Sequence, residues 1–200
     1  SYNNAKYLGY MHGSSIDDTT NTTDSTIKTI IDDWYKNNII GYTSQLEDTV
    51  FCNDRSYITD GSYLRFGAYT RLRTNKAPTL KCQNTKDKFT VEASNGNGGL
   101  TYPMGLITAD EIAYAGGVYE DGEYSSLNSS FYLYAGLEYL TLSPCFFLNG
   151  SASGEFIFRI AALNAVMVSS SKGVRPVLSL KSGTAISSGS GTATDPFIVE

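Results

Sequence analysis

Apolar and polar positions alternate along "KYLGYMHG" (6–13) and the run closes on glycine, which predicts an opening strand. A polar stretch, "SSIDDTTNTTDS", follows. Then Ile27, Ile30, Ile31, Trp34 and Tyr35 recur at helical spacing, with Asp24 or Ser25 placed to cap. This predicts a helix over 25–38 that packs Trp34 into the core. "TSQLEDTVFCNDRS" fits a helical turn and a strand equally well. Residues 53–100 read as mostly irregular, with "KFTVE" a brief strand.

In "YPMGLITADEIAYAGG", Gly105, Leu106 and Ile107 form an extended lead-in and Thr108 caps a second helix over about 109–115. Asp110 and Glu111 lie in its first turn, where the helix dipole favours negative charge, and Gly116-Gly117 ends it. "VYEDGEYSSLNSS" reads as a loop. "FYLYAG", "EYLTLSP", "FFLNG", "EFIFRIA", "GVRPVLSL" and "DPFIVE" are short strand-like runs separated by Gly, Ser, Asn or Pro. The pattern predicts a single α+β domain over 1–200: two helices, much irregular loop and a mostly antiparallel C-terminal sheet. The first strand and the final "PFIVE" are natural partners, which would pair the termini.

The composition supports a packed core: 200 residues, 41% hydrophobic and 12% aromatic, with 15 Tyr. Net charge is −5 and no stripe of Lys and Arg stands out, which argues against a nucleic-acid partner. No apolar run reaches the roughly 18 residues of a membrane span, and no signal peptide is visible. Cys52, Cys82 and Cys145 lack CxxC spacing, so zinc is not expected. Cys52 and Cys82 each lead from an apolar segment into a polar turn and are the expected disulfide. Such a bridge is worth roughly 3–4 kcal/mol and implies an oxidising compartment. Two reduced thiols in a cytosolic protein is the alternative.

Candidate chemistry is sparse. His12 is the single histidine and has no visible nucleophile beside it. "NGNGGL" (95–100) lacks the helix and the Lys-Ser/Thr of a phosphate loop and reads as a turn. Asp32-Asp33 and "EDGE" (120–123) lack calcium-loop spacing, so no cofactor is expected, with a weak calcium site as the alternative. Arg175 sits inside a strand pattern, with Val174, Pro176 and Leu178 on one face and Arg175, Val177 and Ser179 on the other. A buried guanidinium needs a partner, so a salt bridge holding the C-terminal sheet to a loop is expected; ligand binding is the alternative. Arg159 reads the same way.

"LTYPMGLITADEIAYAGG", then "FYLYAG", "YLTLSP" and "GVRPVLSLKSGTAISSGSGTATDPFIVE", together with "STIKTIIDDWYKNNI" and "LEDTVFCNDRS", resemble surface proteins of gut Firmicutes and related bacteria. Many of these are pilin-like at the N-terminus. Their C-terminal region resembles the C-type-lectin fold of variable proteins made by diversity-generating retroelements. Leu140 stands where members commonly carry Trp, and no sugar-binding EPN or WND motif is present. The resemblance implies a C-type-lectin-like fold with a variable region over 145–172. The framework would be Thr141, Leu142, Ser143 and Pro144 on one side, and Gly173, Val174, Arg175 and Pro176 on the other. Randomising the adenines of an AAC or AAT codon cannot yield Glu, Gln, Lys, Met or Trp. Glu155, Met167 and Lys172 should therefore be fixed.

The expectation is a non-catalytic ligand-binding or adhesion module displayed on a bacterial surface or pilus, its anchor lying outside this chain. Its partner would be a protein or cell-surface ligand. The candidate contacts are Cys145, Phe146, Phe147, Leu148, Ser151, Ser153, Ile157, Ala161, Ala162, Asn164, Val166, Ser169, Ser170 and Ser171. One rival is a structural pilin or surface subunit that contacts its own copies in a pilus or homo-oligomer. The other is an enzyme on the related formylglycine-generating scaffold.

Overall fold

The computed structural model describes residues 9–12, 20–119, 132–133, 137–148, 151–158, 162–168, 170–192 and 194–200, with the side chains of 118–119, 151–158 and 162 excluded. Among these residues it is α+β, with few helices and small, mainly antiparallel sheets.

The best-specified helix, α1 (Thr26–Asn38), starts where Ser25 turns its hydroxyl onto the Lys28 amide at 3.2 Å. Lys28, Ile31 and Tyr35, three and four residues apart, form its buried stripe. Trp34 lies on the next stripe with Ile27 and Ile30 and is 45% exposed, so the expected core position is not observed. Lys28 takes the place an apolar residue would fill. Its ammonium uses all three donors, on Asp24 (3.1 Å), Asp32 (2.7 Å) and Thr101 Oγ1 (3.1 Å). Burial alone would lower its pKa; the hydrogen bonds to Asp32 and Asp24 outweigh that and raise it. α2 (Ala109–Tyr114) carries the capping box predicted at Thr108, with the Glu111 amide on Thr108 Oγ1 and the Thr108 amide on Glu111 Oε2 at 2.7 Å. A further bond from the Ala109 amide to Ser143 Oγ, 2.9 Å, seats this helix on the central sheet.

That sheet has six strands: β1 (Tyr57–Asp60), β2 (Tyr63–Phe66), β3 (Val118–Tyr119), β4 (Tyr139–Leu148), β5 (Ser151–Phe158) and β6 (Ala162–Met167). Their spatial order is β1-β2-β4-β5-β6-β3, antiparallel except for the β6–β3 pair. The hairpin β1–β2 corrects the reading of 53–100 as irregular. It turns on Gly61-Ser62, where Gly61 has φ +59° and Ser62 does not need a positive φ, as a type II′ turn requires. After Phe66 the chain passes into helical turns over Gly67–Tyr69 and Thr70–Asn75. Here Arg71 clamps Asp110 with two bonds (2.9 and 2.7 Å) and reaches Asp54 with Nη1.

"GVRPVLSL" lies outside the six-stranded sheet. Pro176–Val177 pairs with Gly105–Leu106, and Ser179–Leu180 pairs with Leu46–Glu47. A proline cannot donate to a ladder and suits such a short edge pairing. Val174 and Leu178 are exposed, whereas Arg175 and Val177 are half-buried, so the apolar-looking face is the outer one. Arg175 donates to the Leu133 carbonyl and stacks 5.4 Å from the Tyr139 ring; among the described residues it has no carboxylate partner, contrary to the expected salt bridge. Arg159 lies outside the described residues.

The expected pairing of the two ends is not made by the described residues. Met11–His12 pairs with Thr23–Asp24, and Ile198–Val199 with Ile186–Ser188. Both are local partners, reached with little loop-closure entropy; residues 6–8 of the expected strand lie outside the description. The disulfide Cys52–Cys82 is present, with the two Cα atoms 5.6 Å apart. One core lies under α1, around Tyr10, Ile31, Tyr35, Phe51, Phe89 and Leu106. A second lies between α2 and the sheet, around Ala109, Ile112, Tyr139 and Leu163.

Candidate functional site

The sheet register decides what the 145–172 window can present. Phe146 stands opposite Arg65 on one side and position 153 on the other, and 153 is opposite Met167. Pro144 and Val166 flank position 154 in the next row, on the other face. The candidate contacts therefore divide between two faces and do not form one surface.

On the first face Phe146 is half-buried and meets Tyr63 (5.6 Å, 77°) and Tyr69 (6.4 Å, 86°) edge-on. Arg65 lies over both tyrosine rings, at 4.9 and 4.5 Å, and is held by Asp60. On the second face Phe147 packs with Val168 against buried Phe66. Asn164 and Val166, half-buried, continue this face.

Cys145 corrects the list of contacts. It sits at the bulge where β4 carries one residue more than β5, and its side chain is 0% exposed. Its thiol is core, beyond the reach of a ligand. Leu148 is half-buried opposite Tyr63. Positions 151, 153 and 157 lie in β5 and position 162 in β6, with no side-chain description; Ala161 and Ser169 lie outside the described residues. Lys172, expected to be fixed, ion-pairs with Glu138.

The second face opens into a cleft of about 620 Å³. One wall is the first turns of α1, with Thr26, Ile27 and Ile30. The other is Leu140–Pro144, and Val168, Ser170 and Ser171 close the rim. Ile30 is 51% exposed although it is a large aliphatic residue on a helix. Ser170 and Ser171 are thus the predicted contacts that line this cleft among the described residues. The Ser170 amide donates to the Met167 carbonyl at 2.9 Å, a turn that fixes both serines at the end of β6. Thr141 and Ser143, expected as framework, line the floor. Ser143 Oγ is occupied by the Ala109 amide, and Thr141 Oγ1 accepts from the Ser143 amide at 3.3 Å.

Chemically the cleft is an apolar trough with a hydroxyl rim. Lys172, tied to Glu138, is the one titratable side chain among its described lining residues. Such a site can seat an apolar group and hydrogen-bond its polar end. Sequence reasoning missed Ile27 and Ile30 as lining residues. The signal was there, because α1 carries two apolar stripes; one is buried, and of the other Ile27 reaches the core's edge while Ile30 and Trp34 stay exposed. Among the described residues no group of three His, Cys, Asp or Glu side chains could hold a metal ion, and no helix is long and apolar enough to cross a membrane. Compared with known proteins, the chain matches no family model, no curated protein and no solved structure.

Proposed function

We propose that this protein is a non-catalytic binding module whose ligand seats in the cleft between α1 and β4. The observation that carries the reading is the convergence of Leu140–Pro144, Val168, Ser170 and Ser171 with the exposed Ile30 around one cavity. The proposal includes a C-type-lectin-like fold, display on a bacterial surface or pilus, and diversification of the exposed positions of 145–172. The resemblance of the "TLSP" and "GVRPV" landmarks supports it, and the disulfide agrees with an oxidising compartment. A fragment screen by amide NMR tests the cleft. Apolar and sugar fragments should shift resonances of 140–144 and 168–172, and Ile30→Glu should abolish those shifts without changing the melting temperature. Fragments that gather instead in the groove lined by Val50, Phe51, Tyr132 and Leu178 would sink it.

A structural-subunit reading has one observation in its favour. Val174, Leu178, Leu180, Ile186, Phe197 and Ile198 are exposed apolar residues of the C-terminal stretch. Light scattering separates the two. Self-contact through this stretch predicts concentration-dependent oligomers that Phe197→Asp dissolves; a ligand-binding monomer predicts one mass throughout.

A further inference from the structure

The charge of the chain is unevenly placed, contrary to the expectation that no basic cluster exists. Residues 61–88 hold seven of the 15 basic side chains and one of the 20 acidic ones. Their three arginines are committed internally: Arg65 to Asp60, Arg71 to Asp54 and Asp110, and Arg73 over the Tyr69 ring at 5.0 Å. The lysines are not. Lys76, Lys81 and Lys86 are exposed and Lys88 is half-buried, and none has a carboxylate partner among the described residues; the last three lie near the Cys52–Cys82 bridge.

The fold gathers these three around Cys52. The disulfide holds the Cys82 Cα 5.6 Å from that of Cys52, with Lys81 next to Cys82 in the chain, while Lys88 is the strand partner of Cys52. The Lys86 carbonyl accepts from Asn97 Nδ2 (2.8 Å), Asn21 Nδ2 (2.9 Å) and Arg55 Nη2 (3.1 Å), so this turn is held from three directions. Asp87, between the two lysines, points inward onto Arg55 Nε at 2.6 Å. Its charge is spent in the interior, while Lys86 is exposed and Lys88 half-exposed. A lysine cluster built this firmly, in a chain of net −5, is a localised electrostatic feature.

We propose that the Lys81–Lys86–Lys88 cluster is a docking surface for a polyanionic polysaccharide. Lysine ammoniums are point charges that follow a flexible row of anions, whereas the bidentate arginine forks suited to a single phosphate or carboxylate are occupied. Segments 49–55 and 81–88 present no exposed aromatic ring, because their one ring, Phe51, is buried, so the base-stacking platform of a single-stranded nucleic-acid site is missing. Phe51 and Phe89 are both buried, so neither ring supplies the aromatic anchor of a protein interface; the exposed apolar side chains in and beside these segments are the aliphatic Val50 and Leu80. The cluster shares no residue with the cleft.

The test uses heparin as probe, with the whole chain, by calorimetry. Three ion contacts on a flexible polyanion give a log–log salt slope near −2, so raising salt from about 50 to about 200 mM should weaken binding about 20-fold. Lys81→Glu with Lys86→Glu should abolish binding and leave the melting temperature unchanged. Lys36→Glu with Lys181→Glu, the same change of net charge elsewhere, should stay within about twofold, because the contacts are local. Should the first pair fail to fold, Lys81→Gln with Lys86→Gln replaces it. The proposal is overturned if heparin does not bind or if the control pair weakens binding as much. It is also overturned if duplex DNA, polyglutamate or phosphatidylglycerol vesicles bind as tightly as heparin.

Discussion

Reducing Cys52–Cys82 is the perturbation with the clearest arithmetic. The bridge spans 30 residues of sequence. A loop of that size removes about 12 cal/mol/K from the unfolded ensemble, or about 3.6 kcal/mol at 25 °C in the chain-entropy relation. The loop includes β1, β2 and the turns that carry Arg71, so reduction frees a third of the central sheet in the unfolded chain without removing any buried apolar group. With a urea m-value of about 2 kcal/mol/M, the midpoint should fall by about 1.8 M. The assay is urea unfolding followed by circular dichroism, with and without reductant, and with a Cys52→Ser, Cys82→Ser double variant. Thiol titration runs alongside. Native protein should show no reactive thiol because Cys145 is buried, unfolded unreduced protein one, and unfolded reduced protein three. A midpoint that does not move on reduction, or three reactive thiols without reductant, would refute the reasoning.

Other perturbations probe separate parts of the account. Lys28→Met leaves Asp24 and Asp32 without their shared cation and should cost about 3 kcal/mol by denaturant unfolding, with part returned by adding Asp32→Asn. Gly67→Ala places a methyl against the Asp54 carboxylate and 2.8 Å from Arg71 Nη1, and should cost about 2 kcal/mol or more in the same assay. Trp34→Ala should cost under about 1 kcal/mol, against the 3–5 expected of a buried tryptophan, because Trp34 is half out of the core. Burial pushes the Tyr10 phenol up, so the unfolded chain ionises first. Stability is intact below about pH 10 and falls by about 1.4 kcal/mol per unit above it; Tyr10→Phe should flatten that slope in alkaline melts.

What could be read from the residues was local. Both helices follow from the spacing of apolar positions, the second cap from Thr108 and the first from Asp24 or Ser25, of which the fold uses Ser25; the disulfide follows from the matching contexts of Cys52 and Cys82. The hairpin at Gly61-Ser62 also had a local signal, but the polar and charged residues around it masked the alternation. The sheet order was beyond reach, because β2 pairs with β4 across more than 70 residues and nothing in either strand names the other. Trp34 was misplaced because α1 has two apolar stripes and the core accepts the one that contains Lys28, a choice made by Asp24, Asp32 and Thr101. The cleft was invisible for the same reason as the sheet order: its walls come from 25–30, 140–144 and 168–174.

Diversification of the accessible positions of the window is most directly tested by deep sequencing the coding segment for 145–172 across the cell population that carries the gene. The account predicts substitutions concentrated at exposed and half-buried positions such as Phe146, Asn164, Val166, Ser170 and Ser171. Cys145, Leu163, Met167 and Lys172 should stay constant, with an unvaried near-repeat of the segment close by. A uniform sequence with no near-repeat, or variation that reaches buried Leu163 as often as Ser171, would contradict it.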